Sequence, residues 1–226
     1  TVTRDYEEDD KTGIIPRYAD VTITSSPGEQ FVITRLNPGA GWTARHFTIG
    51  ADSSLTLKNI ILDGNHQMGG IYSEGGVGIH SDIAEIILDE GAVIRNCLGR
   101  GSDPFTPWNG GAICMLGNGK GVVTTLKKGS RIENCQSSTG YDGGAVYVDD
   151  GCEAMGTGEN PSAGGAVVLN GKMEMTDGII SNNKTNASGG GIVVSDSGRL
   201  SITGGVIEGN QGAHGGGIFI EESTVE

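Results

Sequence analysis

Apolar and polar residues alternate along this chain in short runs, and the runs return. The stretches SLTLKNIILDGN (54–65), EIILDEGAVIRNC (85–97), VTTLKKGSRIENC (123–135), KMEMTDGIISNN (172–183) and RLSITGGVIEGN (199–210) align with one another. One column then holds Leu62, Ile94, Ile132, Ile180 and Ile207, aliphatic each time. The next holds Asp63, Arg95, Glu133, Ser181 and Glu208, polar each time. Upstream, Asn59, Gly91, Gly129, Asp177 and Gly204 share a turn column, preceded by alternating pairs such as Leu55/Leu57, Met173/Met175 and Leu200/Ile202. Alternation over two residues predicts strands with one buried face, and Gly, Asn and Asp at one register predict turns. The second and third copies carry one extra residue in the turn, Leu88 to Ile94 against Ile202 to Ile207.

A second phrase falls between these runs: GGIY (69–72), GGAIC (110–114), GGAVYV (143–148), GGAVVL (164–169), GGGIVV (189–194) and GGGIFI (215–220). Each repeat therefore predicts about three short strands with tight corners, and no 3.6-residue period occurs. Strands this short cannot bury a face alone, whereas stacked equivalent rungs share a continuous core. The predicted fold is all-β: a right-handed parallel β-helix, a solenoid whose hand follows the general crossover preference. An antiparallel sandwich would not require the same residue class at one register in five successive copies. Two extended surface loops are expected, Leu98–Trp108 and Asp149–Ala163, both rich in Gly, Asp, Ser and Pro. The coil is expected over residues 21–226, with residues 1–20, including DYEEDD at 5–10, as an N-terminal arm or edge-covering cap. The last phrase stops one apolar strand into a rung, so the coil is expected to continue past Glu226 in a longer, monomeric chain.

Composition agrees with corners made by glycine. Gly supplies 41 of 226 residues, more than twice the usual share of about 7%. The collagen triplet is absent and aliphatic residues are too frequent for a disordered chain. A net charge of −13 argues against nucleic acid and anionic membrane surfaces as partners. No apolar run approaches the roughly 20 residues of a membrane-spanning helix, so no membrane insertion is expected. Cys97, Cys114, Cys135 and Cys152 fit no CxxC spacing, and His46, His66, His80 and His214 form no HxxxH pair.

The Gly-Gly-aliphatic phrase followed by an Ile-x-x-Asn-like ending, as in Ile61 to Asn65 (ILDGN) and Val206 to Asn210 (VIEGN), resembles the repeats of large bacterial cell-surface β-helix proteins. It is also similar to the GGAI-containing passengers of chlamydial polymorphic outer-membrane proteins, whose pattern carries Phe-x-x-Asn at that place. The resemblance covers about residues 46–226 and implies surface display and adhesion.

Four groups of residues are candidates for chemistry. Asn65, Cys97, Cys135, Asn183 and Asn210 form a column whose stacked side chains are expected to hydrogen-bond along the coil and satisfy corner backbone groups. Within it, Cys97 and Cys135 should have Cα atoms about 4.8 Å apart, inside the disulfide window, with Cβ atoms slightly beyond the preferred separation. Two buried thiols are favoured over a bond. Cys114 and Cys152 could pair only if the 149–163 loop folds back. Asp142, Asp149 and Asp150 are the one tight acidic cluster near a loop and offer carboxylates for calcium; no other cofactor is implied. Trp108-Asn109 and Tyr141-Asp142 stand at the same offset before a Gly pair, where later copies carry Ala187 and Ala213. Stacked aromatic faces beside amide and carboxylate groups, extended by Phe105, would suit sugar rings or a partner's side chains; shielding of the loop base is the structural alternative.

These residues point to a non-catalytic β-helix segment, extracellular or at the cell surface, acting as adhesin or stalk and contacting glycan or a host surface protein through its loops. The alternatives are a carbohydrate-active β-helix enzyme of lyase or glycoside hydrolase type, and a purely structural spacer. A catalytic site of that type needs clustered carboxylates with a nearby Arg or Lys. The Asn-Thr-Asp and Gly-His-Gly arrangements of polygalacturonases do not occur, and Asp149-Asp150 matches only their Asp-Asp dipeptide.

Overall fold

The computed structural model describes residues 1–8, 13–35, 46–50, 52–65, 77–80, 84–99, 112–117, 123–137, 146–150, 167–169, 172–183, 189–194, 199–220 and 224–225. Those residues form β-strands, numbered here in chain order, and no helix. The first sheet contains β1 (Tyr6–Glu8), β4 (Phe31–Arg35), β7 (Ile60–Asp63), β10 (Val93–Arg95), β14 (Arg131–Glu133), β19 (Ile179–Ser181) and β22 (Val206–Glu208) in that order. The second contains β2 (Gly13–Ile15), β5 (Phe47–Ile49), β8 (Val77–His80), β12 (Ile113–Gly117), β16 (Val146–Asp150), β17 (Val167–Leu169), β20 (Ile192–Val194) and β23 (Ile218–Ile220). The third contains β3 (Asp20–Thr24), β6 (Ser53–Lys58), β9 (Ala84–Leu88), β13 (Val123–Leu126), β18 (Lys172–Met175), β21 (Arg199–Ile202) and β24 (Thr224–Val225). A two-stranded sheet pairs β11 (Leu98–Gly99) with β15 (Gln136–Ser137). Every pairing among these strands is parallel. Apart from β16 and β17, both in the second sheet, the described strands visit the three large sheets in rotation, an all-β arrangement compatible with a parallel β-helix.

The aliphatic column is one ladder in the structure. Ile33 pairs with Leu62, Leu62 with Ile94, Ile94 with Ile132, Ile132 with Ile180 and Ile180 with Ile207. Leu62, Ile94, Ile132 and Ile180 are fully buried. From the third sheet Leu55 and Ile86, then Leu57, Leu88 and Leu126, point into the same core with Met173, Met175 and Leu200. Full burial of a side chain of this size is worth about 1.5–3 kcal/mol, so the inward columns carry the stability of the stacked sheets.

The structure revises several boundaries. Within residues 1–20, expected as an arm or edge-covering cap, β1 pairs with β4 and β2 with β5, and the Val32 N–H donates to Asp5 Oδ1 at 2.9 Å, so the described part of this segment supplies end strands of the first two sheets. The phrase GGIY at 69–72 lies outside the described residues, and the strand that pairs with β12 follows the next glycine pair, beginning at Val77. The expected 98–108 loop begins with strand β11, and the expected 149–163 loop begins after Asp150, which still pairs with Gly117. The remainder of both stretches lies outside the described residues. β16 and β17, consecutive strands among the described residues, pair directly in the second sheet.

Turn chemistry explains the repeated glycines. Asn59, Gly91 and Gly129 have positive φ at their shared register. In the fourth and fifth copies the positive φ sits one residue later, at Gly178 and Gly205. Asp177 instead accepts the Gly178 N–H through Oδ1 at 2.6 Å, leaving the left-handed backbone to the residue without Cβ. The triplets 189–191 and 215–217 lie one rung apart: the Gly189 N–H donates to His214 O at 2.8 Å and the Ile192 N–H to Gly217 O at 2.8 Å. A Cβ on Gly190 would stand 2.5 Å from Gln211 C and 2.6 Å from Gly216 O, so only glycine permits this approach.

Ile132→Asp should destroy the fold, because Ile132 is fully buried between Ile94 and Ile180. Burying an unpaired carboxylate there costs several kcal/mol. Thermal melting by circular dichroism should lose its cooperative transition, while Glu133→Gln, one residue on, should melt within a few degrees of the parent. Native melting of Ile132→Asp would break the rung alignment.

Candidate functional site

The most complete constellation among the described residues is the corner between the first and second sheets, where the Asn/Cys column lies. Before each column position comes Gly64, Asn96, Asn134, Asn182 or Gly209, and the three asparagines and Gly209 all have left-handed φ between 52° and 63°. Asparagine tolerates this conformation better than other residues with a side chain. The next residue is thereby turned inward. Cys97 and Cys135 are fully buried and Asn183 is 1% exposed.

The asparagines of the column join successive rungs. The Cys135 N–H donates to Asn183 Oδ1 at 3.1 Å, and the Asn183 N–H donates to Asn210 Oδ1 at 3.0 Å. Asn183 Nδ2 also donates to Asn210 Oδ1 at 3.1 Å, and Asn210 Nδ2 donates to Ile180 O at 2.9 Å. Asn65 differs from the rest of the column. Here Gly64 precedes it with ordinary φ and Asn65 itself takes the left-handed φ of 54°. Its side chain therefore turns outward, exposed, and Nδ2 donates to Arg35 O at 3.0 Å. The thiols of Cys97 and Cys135 are free; Cys97 Sγ donates to Arg95 O at 3.3 Å and Cys135 Sγ to Glu133 O at 3.4 Å.

Beside this column stands a charged cluster. Arg95 Nε donates to Asp63 Oδ2 at 2.7 Å, while Asp63 Oδ1 accepts from Asn96 Nδ2 at 3.0 Å and from the Asn65 N–H at 2.8 Å. Burial raises the pKa of Asp63, but the hydrogen bonds from Asn96, the Asn65 backbone and Arg95, with the charge of Arg95, outweigh it and hold the carboxyl below its ordinary value. The repeat alignment sets Asp63 and Arg95 in one column 32 residues apart, the only signal in the sequence that reveals the pair. Arg35 and His46, also fully buried, carry no such signal.

The other candidates lie elsewhere. Trp108, Asn109, Phe105, Tyr141 and Asp142 are outside the described residues. The register of Ile113 with Val146 preserves the equal five-residue offset of Trp108 and Tyr141 before those strands. Asp149 and Asp150 end β16, opposite Leu116 and Gly117. Among the described residues, no three His, Cys, Asp or Glu side chains gather in a metal-binding group. Cys114 lies in β12, and Cys152 is outside the described residues.

Two outcomes follow from this geometry. Asn183→Ala removes the acceptor of the buried Cys135 N–H and should lower stability by about 1–3 kcal/mol, measured by denaturant unfolding. The contribution of Asp63 is present above its unfolded pKa of about 3.9 and is lost as pH falls through its lower folded value. Asp63→Asn should therefore destabilise the protein at pH 7 and narrow its gap from the parent as pH drops below about 4. A gap constant from pH 7 to pH 2 would show that the carboxylate contributes no charge-dependent stability.

No family model, no curated protein and no solved structure matches this chain.

Proposed function

We propose that the chain is a right-handed parallel β-helix that serves as a non-catalytic, surface-displayed stalk or adhesin module, meeting glycan or a host surface protein through residues at the roots of its insertions. The observation that carries the reading is the rotation of the chain through three parallel sheets with like residues in register, from Ile33 to Ile207 in the first sheet. The right-handed crossover preference gives the coil its hand. Such a coil is a stiff scaffold, and its side chains are committed to neighbouring rungs: Asp63 to Arg95, and Asn183 to Asn210. Recognition then falls to the inserted stretches, as is usual for loops on a rigid frame. The resemblance of the Gly-Gly-aliphatic phrase to bacterial cell-surface repeats supports display outside the cell, and the net charge of −13 suits a well-solvated surface.

The test is a glycan and host-matrix protein array probed with the purified protein, with the same glycans assayed for cleavage. Retained binding without release of unsaturated or reducing ends is expected. Trp108→Ala with Tyr141→Ala should weaken glycan binding about tenfold to a hundredfold, taking the loss of aromatic stacking as about 1–3 kcal/mol. Its melting temperature should stay unchanged, since later copies carry Ala187 and Ala213 at that register. Cleavage would favour the carbohydrate-active alternative, and absence of binding to any target would favour a spacer. A double variant that melts several degrees earlier would assign the aromatics to loop shielding.

A further inference from the structure

Cys97 and Cys135 occupy equivalent places on successive rungs. Arg95 pairs with Glu133 on one side of them and Leu98 with Gln136 on the other, so both flanks hold the same 38-residue register. In-register parallel neighbours stand about 4.8 Å apart, inside the Cα window of a disulfide. Cys135 Sγ also lies 4.0 Å from Ile94 O, a carbonyl of the rung that carries Cys97. Both side chains are fully buried in the aliphatic core.

We propose that Cys97 and Cys135 are an oxidative cross-linking site, in which a low-molecular-weight disulfide converts the two stacked thiols into one inter-rung disulfide. One protein thiolate attacks a sulfur of the small disulfide, forming a mixed disulfide and releasing one small thiolate. The second protein thiolate attacks the protein sulfur of that mixed disulfide, forming the Cys97–Cys135 bond and releasing the second small thiolate. The protein loses two electrons and two protons, and the small disulfide gains them. The bond closes the chain over residues 98–134, immediately before the paired strands β11 and β15. It does not depend on the proposed adhesive role, because it rests only on the strand register.

Access to the buried sulfurs requires opening of the corner or oxidation during folding. The pKa of Cys97 is pushed well above the usual thiol range, first by its hydrogen bond with Cys135 and then by burial, so exchange should be slow at neutral pH and faster at alkaline pH. Once formed, the disulfide would be shielded from reductant by the same burial.

The protein carrying C114S and C152S, which retains only these two cysteines, is unfolded, refolded in a glutathione and glutathione disulfide buffer, alkylated under denaturing conditions and weighed. A mass lower by two hydrogens with no alkyl groups is expected, together with a melting temperature about 5–15 °C above that of the dithiothreitol-reduced protein. Adding Cys97→Ala should abolish the rise. Should C114S/C152S fail to fold, the parent protein is oxidised in the same buffer, and peptide mapping must find Cys97 joined to Cys135. Two alkylated thiols, stable glutathione adducts or an oxidised protein that melts no later than the reduced one would each overturn the proposal.

Discussion

In a parallel ladder held in register, every residue stands on its own equivalent one rung away, and that repetition governs the choice of side chain throughout the molecule. Inward positions can stack aliphatic groups indefinitely, as Leu62, Ile94, Ile132 and Ile180 do. Like charges stacked in this way carry a cost. Two like charges at about 4.8 Å repel by about 0.9 kcal/mol in water and about 3.5 kcal/mol at an effective dielectric of 20. Signs alternate in the first sheet, where Asp63, Arg95 and Glu133 follow one another, whereas Lys172 and Arg199 stand in register with like charge in the third. At the end of the third sheet, the Asp89 N–H donates to Leu57 O and the Lys127 N–H to Leu88 O, placing the corner residues Lys58, Asp89 and Lys127 in series, again with alternating sign.

A strict repeat of side-chain size is not required along every column. Beside the central aliphatic column, Phe31 pairs with Ile60, and the positions that follow rung by rung are Ala92, Ser130, Gly178 and Gly205. Side-chain size falls from Phe and Ile to Ala and Ser and then to Gly. In the third sheet Met173 and Met175 replace Leu55 and Leu57 at near-equal volume but with a longer, unbranched reach. A Cβ added to Gly178 would stand 2.7 Å from Ser130 Oγ, and one added to Gly205 would meet the Met175 methyl group. Methionine's flexible thioether suits such an irregular space. The glycines here make room for larger neighbours, besides turning the chain.

The repeat columns make the first sheet legible from sequence, because Leu62 through Ile207 keep both residue class and spacing to the following Asn or Cys. Legibility ends where one cue is missing. Tyr6–Glu8 and Gly13–Ile15 belong to the same sheets, yet none of the aligned repeats includes them, so residues 1–20 read as an arm or cap by pattern alone. Two glycine pairs compete at 69–70 and 75–76, and only pairing with Ile113 selects the second. Column membership also conceals the direction of a side chain. Asn65 shares its column with Asn183, but the left-handed residue falls one place later in that corner and sends the amide outward. Of the candidate recognition edge, the sequence supplies the equal offsets of Trp108 and Tyr141, while their surroundings depend on residues outside the described coil.

The substitution of sulfur for amide within one column has a consequence for how the rungs are tied. An asparagine links three rungs at once, as Asn183 does by accepting from the Cys135 N–H and donating to Asn210 Oδ1. A thiol is a weak donor and a weak acceptor, and the thiols of Cys97 and Cys135 donate mainly to carbonyls of their own corners, Arg95 O and Glu133 O. The amide ladder that rises from Asn210 through Asn183 therefore ends at the Cys135 N–H. Immediately after these two cysteines the small sheet of β11 and β15 appears. Its backbone hydrogen bonds, with the aliphatic packing of Ile94 against Ile132, hold the two rungs together where the side-chain ladder stops. Polar stitching is thus exchanged for backbone pairing and apolar contact at the two rungs that carry the cysteines, and the ladder of the first sheet runs on through them without a break.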